Sequence, residues 1–187
     1  MSSPSESERQ ALLHLARRAI TEAVTNGRLL QDIPSGGIFS LPRGVFVTLH
    51  VAKRLRGCIG VVEPDEPLGD CVVRSAVSAA QKDPRFPAMR PQELPALGIE
   101  ISLLSPPAPI SLPEIEIGKH GLLIFRGRQR GLLLPQVATE HHFTAEQFLA
   151  ETCRKAGLPP DAWREADTVI LGFTCETFSD APSGAST

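Results

Sequence analysis

Cys58 is the residue of this chain best suited to covalent chemistry, because it stands in the run Arg56-Gly57-Cys58-Ile59-Gly60, with a guanidinium two positions before it. The thiolate is the reactive form of cysteine, and a nearby positive charge favours it. On a strand, residues two apart share a face, so Arg56 and Cys58 would point the same way. Gly57 and Gly60 leave the backbone beside the sulfur uncovered, the pattern expected where a ligand or another strand comes close. The bland alternative is that a helix covers this face, leaving Cys58 as packing and Arg56 as the partner of a carboxylate. His120, in Gly118-Lys119-His120-Gly121, could be presented at a strand entrance as base, proton donor or metal ligand. It could equally serve structure by bonding a loop carbonyl. Asp83 and Arg85 lie in a short proline-bounded loop that either closes a pocket or pairs its own two charges. Glu100 is a lone strand carboxylate, more often solvated than catalytic, and Gln136 after Pro135 is either a polar contact or a turn former.

These groups need a frame. Val45, Val47, Leu49 and Val51 alternate with Phe46, Thr48 and His50, and Leu55, Gly57, Ile59 and Val61 alternate with Arg56, Cys58 and Gly60. This period of two predicts a hairpin of half-buried strands. A turn at Lys53-Arg54 would mix the faces. A loop at Ala52 to Arg54 pairs Val51 with Leu55 and keeps the aliphatic positions together, setting Thr48 opposite Cys58 and His50 opposite Arg56.

Around the hairpin, Ser5 with Glu8 predicts a capping box opening a helix whose apolar stripe runs from Leu12 to Val24 and ends at Gly27. Pro67 suits a first helical position, and Leu68, Val72, Ala76 and Ala79 trace a stripe of small residues ending before Pro84. Leu97, Ile99, Ile101 and Leu103 predict a third strand, followed by an extended loop with Pro106, Pro107 and Pro109. Residues 122–125 and 132–134 predict a second hairpin with Arg126, Arg128 and Arg130 about its tip. Thr144 with Gln147 caps another helix, stopped at Gly157, and Val169 to Thr177 alternate as a last strand. The pattern predicts an α+β fold: a largely antiparallel sheet with flanking helices, in two closely joined subdomains with a cleft between them. Residues 5–180 form the domain, a subdomain boundary falls near 105–113, and the Ser, Ala and Gly-rich tail 181–187 is expected to be disordered.

Composition excludes several classes. A chain of 187 residues, 42% hydrophobic with net charge −2, can bury a core without staples and offers no basic field for nucleic acid. No apolar run approaches a membrane span and the amino terminus lacks a signal pattern, so a cytoplasmic protein is expected. Cys58, Cys71, Cys153 and Cys175 are widely spaced and expected as free thiols, the last three on or near apolar stripes. No phosphate-binding glycine motif, serine elbow or HExxH pair is present, and neither a metal nor a cofactor is assigned.

The landmarks FVTL at 46–49, LRGCIG at 55–60, DPRFP at 83–87, EISLL at 100–104, GKHGL at 118–122 and GLLLPQVATEH at 131–141 follow one another along nearly the whole chain. In these the chain resembles the AMMECR domain family. Bacterial relatives are encoded beside a Memo-type protein and a radical S-adenosylmethionine protein, so the resemblance implies those two as partners and a shared substrate or modification. The expected activity is that of an enzyme or enzyme-system component acting on a small molecule in a cleft. Cys58 would be nucleophile or covalent carrier, His120 the proton-transfer group and Arg56 an anion holder, with Thr48, Gly57, Gly60, Arg85, Glu100 and Gln136 as binding residues. The alternative is a non-catalytic adaptor using the same surface to hold a partner protein.

Overall fold

The computed structural model describes residues 3–180, which fall into two compact units: one of residues up to 103 together with those from 176 on, the other of residues 104–175. The first unit opens with helix α1 (Glu6–Asn26). Its capping box is present: the Ser5 hydroxyl accepts the Glu8 N–H at 3.3 Å and Glu8 accepts the Ser5 N–H at 2.8 Å. Gly27 ends it in the left-handed region at φ 64°, where a side chain would be strained. Strands β1 (Val45–Val51), β2 (Arg54–Val61) and β3 (Leu97–Leu104) pair antiparallel with β1 in the centre, and Val45, Val47 and Leu49 stand opposite Leu103, Ile101 and Ile99. This aliphatic face is fully buried and joins one core with α1 and helix α2 (Leu68–Gln81). Pro67 immediately precedes α2.

The hairpin bears out Thr48 opposite Cys58 and corrects the expectation at its tip. Ala52 and Lys53 form a two-residue turn with φ of 50° and 64°, the left-handed pair whose twist matches that of the strands. His50 then faces Leu55 and Val51 faces Arg54, while Leu49 faces Gly57, so Arg56 is an extra, bulged residue. The additional residue needed to align Thr48 with Cys58 lies in the strand rather than in the loop. Leu55 consequently leaves the aliphatic face and is 43% exposed, and His50 does not face Arg56.

The second unit holds β4 (Ala108–Pro109), β5 (His120–Arg126), β6 (Gln129–Leu133), α3 (Pro135–Glu140), α4 (Ala145–Lys155) and the first part of β7 (Val169–Ser179). Here too every pairing is antiparallel: β5 with β6, and β7 with both β4 and β5. Phe148, Leu149 and Cys153 of α4 pack on Leu122 and Ile124 of β5. Helix α3 starts with Pro135 at its first position, so the turn that Gln136 is one candidate to form is the first turn of a helix. The last residues of β7 belong to the first unit, where Ser102 meets Thr177 at 3.1 Å and the Asp180 N–H bonds the Ile99 carbonyl at 3.1 Å. The fold is α+β with antiparallel pairing and flanking helices, as the patterning predicted. Its expected tail at 181–187 lies outside the described residues.

Candidate functional site

The face of the first unit's sheet away from the aliphatic core carries a lateral row of polar residues. Thr48 stands between Cys58 on one side and Glu100 on the other, and its hydroxyl donates to the Cys58 Sγ at 3.2 Å. All three are half-buried. The Ser102 to Thr177 contact and the Asp180 to Ile99 bond set a register that continues the row from Glu100 to Ser179. A hydroxyl donating to sulfur stabilises developing thiolate charge without competing for the reacting atom's open side.

Behind the sulfur, Asp83 holds the backbone. β2 is the outer strand, so its outward N–H groups need partners. The Cys58 N–H donates to Asp83 Oδ2 at 2.9 Å, while Arg85 donates from its backbone N–H (3.1 Å) and Nε (3.0 Å) to Oδ1 and from Nη2 (2.7 Å) to Oδ2. The Asp83 side chain is 2% exposed and that of Arg85 53%, so a buried carboxylate anchors a cation that reaches solvent. The Arg85 hydrogen bonds, aided by the Cys58 amide and opposed by burial, hold the Asp83 carboxyl far below the usual carboxylate range. The same bonds raise Arg85.

Arg56 is differently employed. Its Nε and Nη2 donate to Glu93 at 2.7 and 3.2 Å, and Glu93 also accepts the Arg90 N–H at 2.8 Å. These bonds, with that of Arg56 foremost, lower the Glu93 carboxyl. The side chain of Arg56 is 13% exposed and its Nη1 is buried without a partner. Both guanidinium groups lie over the Phe86 ring, that of Arg56 at 6.0 Å and that of Arg85 at 5.4 Å from its centroid. Arg56, Arg90 and Glu93 line a recess of about 460 Å³ with Pro87, Ala88 and Gln92. The charge that the sequence places beside Cys58 is thus matched by Glu93, and the more exposed guanidinium of the pair is Arg85. Glu93, 37 residues from Arg56, gave no signal in the sequence.

The glycines have intramolecular neighbours. A Cβ on Gly57 would overlap the Ala79 carbonyl of α2, and one on Gly60 would overlap the Val45 carbonyl and the Phe46 ring. The small residues of α2 and Gly57 are two halves of one close approach. Among the thiols, Cys71 and Cys153 are fully buried, and burial pushes both upward in pKa. Cys175 is only half-buried, against the expectation for an apolar stripe, because its stretch of β7 is half exposed.

In the second unit His120 is half-buried at the start of β5 opposite Thr174. Its Nδ1 accepts the Glu116 backbone N–H at 3.0 Å, and the His120 backbone N–H donates to the Glu116 carbonyl at 3.0 Å. Nδ1 is thus engaged as an acceptor, and among the described hydrogen bonds none engages Nε2. Gly118, at φ 85°, makes the turn into this strand. Gln136 lies in the first turn of α3, where its carbonyl accepts the Thr139 hydroxyl at 2.8 Å. Among the described residues no group of three His, Cys, Asp or Glu side chains could hold a metal ion, and no helix is long and apolar enough to cross a membrane.

Comparison with known proteins agrees with the landmarks. The chain is 45% identical over 186 residues to a protein of Methanothermobacter thermautotrophicus, covering 94% of this chain and 96% of that one. It is 45% identical over 183 residues to a protein of Thermococcus gammatolerans, covering 90% and 88%. The crystal structure of uncharacterized protein PH0010 from Pyrococcus horikoshii superposes with a TM-score of 0.84 at 40% identity, over 93% of this chain and 92% of that one. The model of the AMMECR1 family matches residues 13–178, and the chain belongs to that family.

Proposed function

We propose that the chain is a component of an enzyme system that works through the Cys58 sulfur as nucleophile or covalent carrier. The carrying observation is the half-exposed thiol that receives the Thr48 hydroxyl while its own amide is clamped by Asp83. Preorganised donors around a nucleophile lower the cost of developing charge, and a locked backbone keeps the sulfur in place. In this reading Arg85 takes the anion-holding role first expected of Arg56, because Arg56 is spoken for by Glu93. His120, through Nε2, remains the candidate for proton transfer. The Memo-type and radical S-adenosylmethionine proteins implied by the family resemblance are the proposed suppliers or consumers of the group carried.

The test is brief, limiting alkylation with iodoacetamide under native conditions, resolved by peptide mass spectrometry. Cys58 should label first, Cys175 next, and Cys71 and Cys153 last. First labelling at any of the other three would leave Cys58 a packing role and make the adaptor reading the better one. Cys58→Ser should keep the parent's melting temperature, since it removes little buried apolar area.

A further inference from the structure

The polar row does not end at Thr48. Its third member, Glu100, also lines a recess of about 360 Å³ with Glu6, Arg9, Gln10, Thr177 and Ser179. The charges around this recess are unevenly matched. The Arg9 guanidinium is paired with Glu176 at 2.6 Å and Glu6 accepts Gln10 Nε2 at 2.9 Å, whereas no ion pair or hydrogen bond engages the Glu100 carboxylate among the described residues. The geometry points to a substrate that carries a cationic group, an ammonium in the simplest case, held by Glu100 at the mouth of this recess while the reacting end lies at Cys58. This deepens the thiol reading and rests on it.

Spacing supports the assignment. Cys58 and Glu100 stand on either side of Thr48 in one row, two strand spacings or about 10 Å apart at the backbone. That is the reach of a two- to four-atom linker plus the carboxylate's own side chain. The cation tied to the carboxylate that holds the Cys58 amide, Arg85, is already matched by Asp83, so Glu100 is the unmatched charge of the row. A half-buried carboxylate facing an open recess on a sheet stabilises a cation by direct pairing in a partly desolvated place.

Three methanethiosulfonates test this: the 2-(trimethylammonium)ethyl and 2-sulfonatoethyl reagents, of similar size and opposite charge, and the small neutral methyl reagent. Each leaves its tail on Sγ as a mixed disulfide and releases methanesulfinate, so the rate at Cys58 can be followed by peptide mass spectrometry. Glu100→Gln should lower the ratio of cationic to anionic rates about fivefold at low ionic strength, with the neutral rate unchanged, and 0.5 M salt should shrink the difference. An unchanged ratio, with Cys58 still modified by the neutral reagent, overturns the assignment of Glu100 and leaves the thiol reading standing. Failure of the neutral reagent to modify the parent's Cys58 overturns both.

Discussion

Hairpins β1–β2 and β5–β6 each have a helix against one face and each place a glycine where the helix backbone comes closest, Gly57 beneath Ala79 of α2 and Gly131 beneath Thr152 of α4 and its capping residue Ala156. Their other faces differ. β5 buries Leu122, Leu123 and Ile124 completely, so neighbouring residues pointing to opposite sides are both apolar and both covered. β1 buries Val45, Val47 and Leu49 completely but leaves Phe46, Thr48 and His50 half exposed. The second hairpin demonstrates that this plan works with apolar residues on both faces. An apolar second face suits β5 because that face is covered, whereas Thr48 and Cys58 of the first hairpin, with Glu100 of the adjoining β3, stand half-buried on a face where polar side chains can meet a ligand.

The largest effects should fall on what the hairpins share. Gly57→Val and Gly131→Val each force a side chain into helix backbone, which cannot step aside as a side-chain tip can. Each should cost about 3 kcal/mol in chemical denaturation. If Gly57→Val were tolerated and Gly131→Val were not, the common plan would be broken and the space beside Cys58 would be looser than the geometry indicates.

Next comes the clamp that distinguishes the first hairpin. Asp83→Asn removes the charge that holds Arg85 and weakens the acceptor for the Cys58 amide, and should cost about 2 kcal/mol at neutral pH. Because the Asp83 carboxyl is depressed in the folded state, its contribution is present above the ordinary value of about 4 and is lost as pH falls through that value toward the lower folded one. The parent should lose stability more steeply than Asp83→Asn below about pH 4, and the two denaturation curves should converge there. Parallel curves across this range would mean that the Asp83 charge contributes nothing to the fold.

Much of this arrangement can be read from residue types, and the unread part has a physical reason. The alternation of Val45 to Val51 and Leu55 to Val61 suffices to place Thr48 against Cys58, because slipping by one would turn a whole aliphatic face to solvent. It cannot locate the extra residue. A bulge at Arg56 and a longer loop give the same pairing beyond it, and only the left-handed pair Ala52-Lys53 decides between them. Asp83 is recognisable as Arg85's partner from their spacing, but its bond to Cys58 depends on β2 being an outer strand with a free amide row, a property of sheet order rather than of local pattern. Gly57 looks like room for a ligand until α2 is placed, when its neighbour proves to be Ala79.

A smaller effect should separate the two readings of the polar row. Thr48→Val keeps the shape of the side chain and removes the only hydroxyl donor to the Cys58 Sγ among the described hydrogen bonds. Iodoacetamide should then modify Cys58 severalfold more slowly at pH 7.5, with the melting temperature little changed. An unaltered rate would reduce the Thr48 to Cys58 contact to packing.

The smallest effect, that of Leu55→Lys, concerns the hairpin tip, where the bulge makes a prediction opposite to plain alternation. By period alone, Leu55 and Ile59 belong to the same aliphatic face, and a lysine at either should be equally damaging. The extra residue at Arg56 separates them: Leu55 is 43% exposed, whereas Ile59 packs against the buried core. A lysine at an exposed strand end keeps its charge in water and loses little packing, so Leu55→Lys should change stability by no more than about 0.5 kcal/mol. Ile59→Lys must bury the stem of a charged side chain in place of a branched aliphatic one and should cost about 2 kcal/mol. Denaturant midpoints of the pair decide the register. Equal losses would put Leu55 back on the aliphatic face, return the extra residue to the loop and bring His50 opposite Arg56, changing which charges stand beside Cys58.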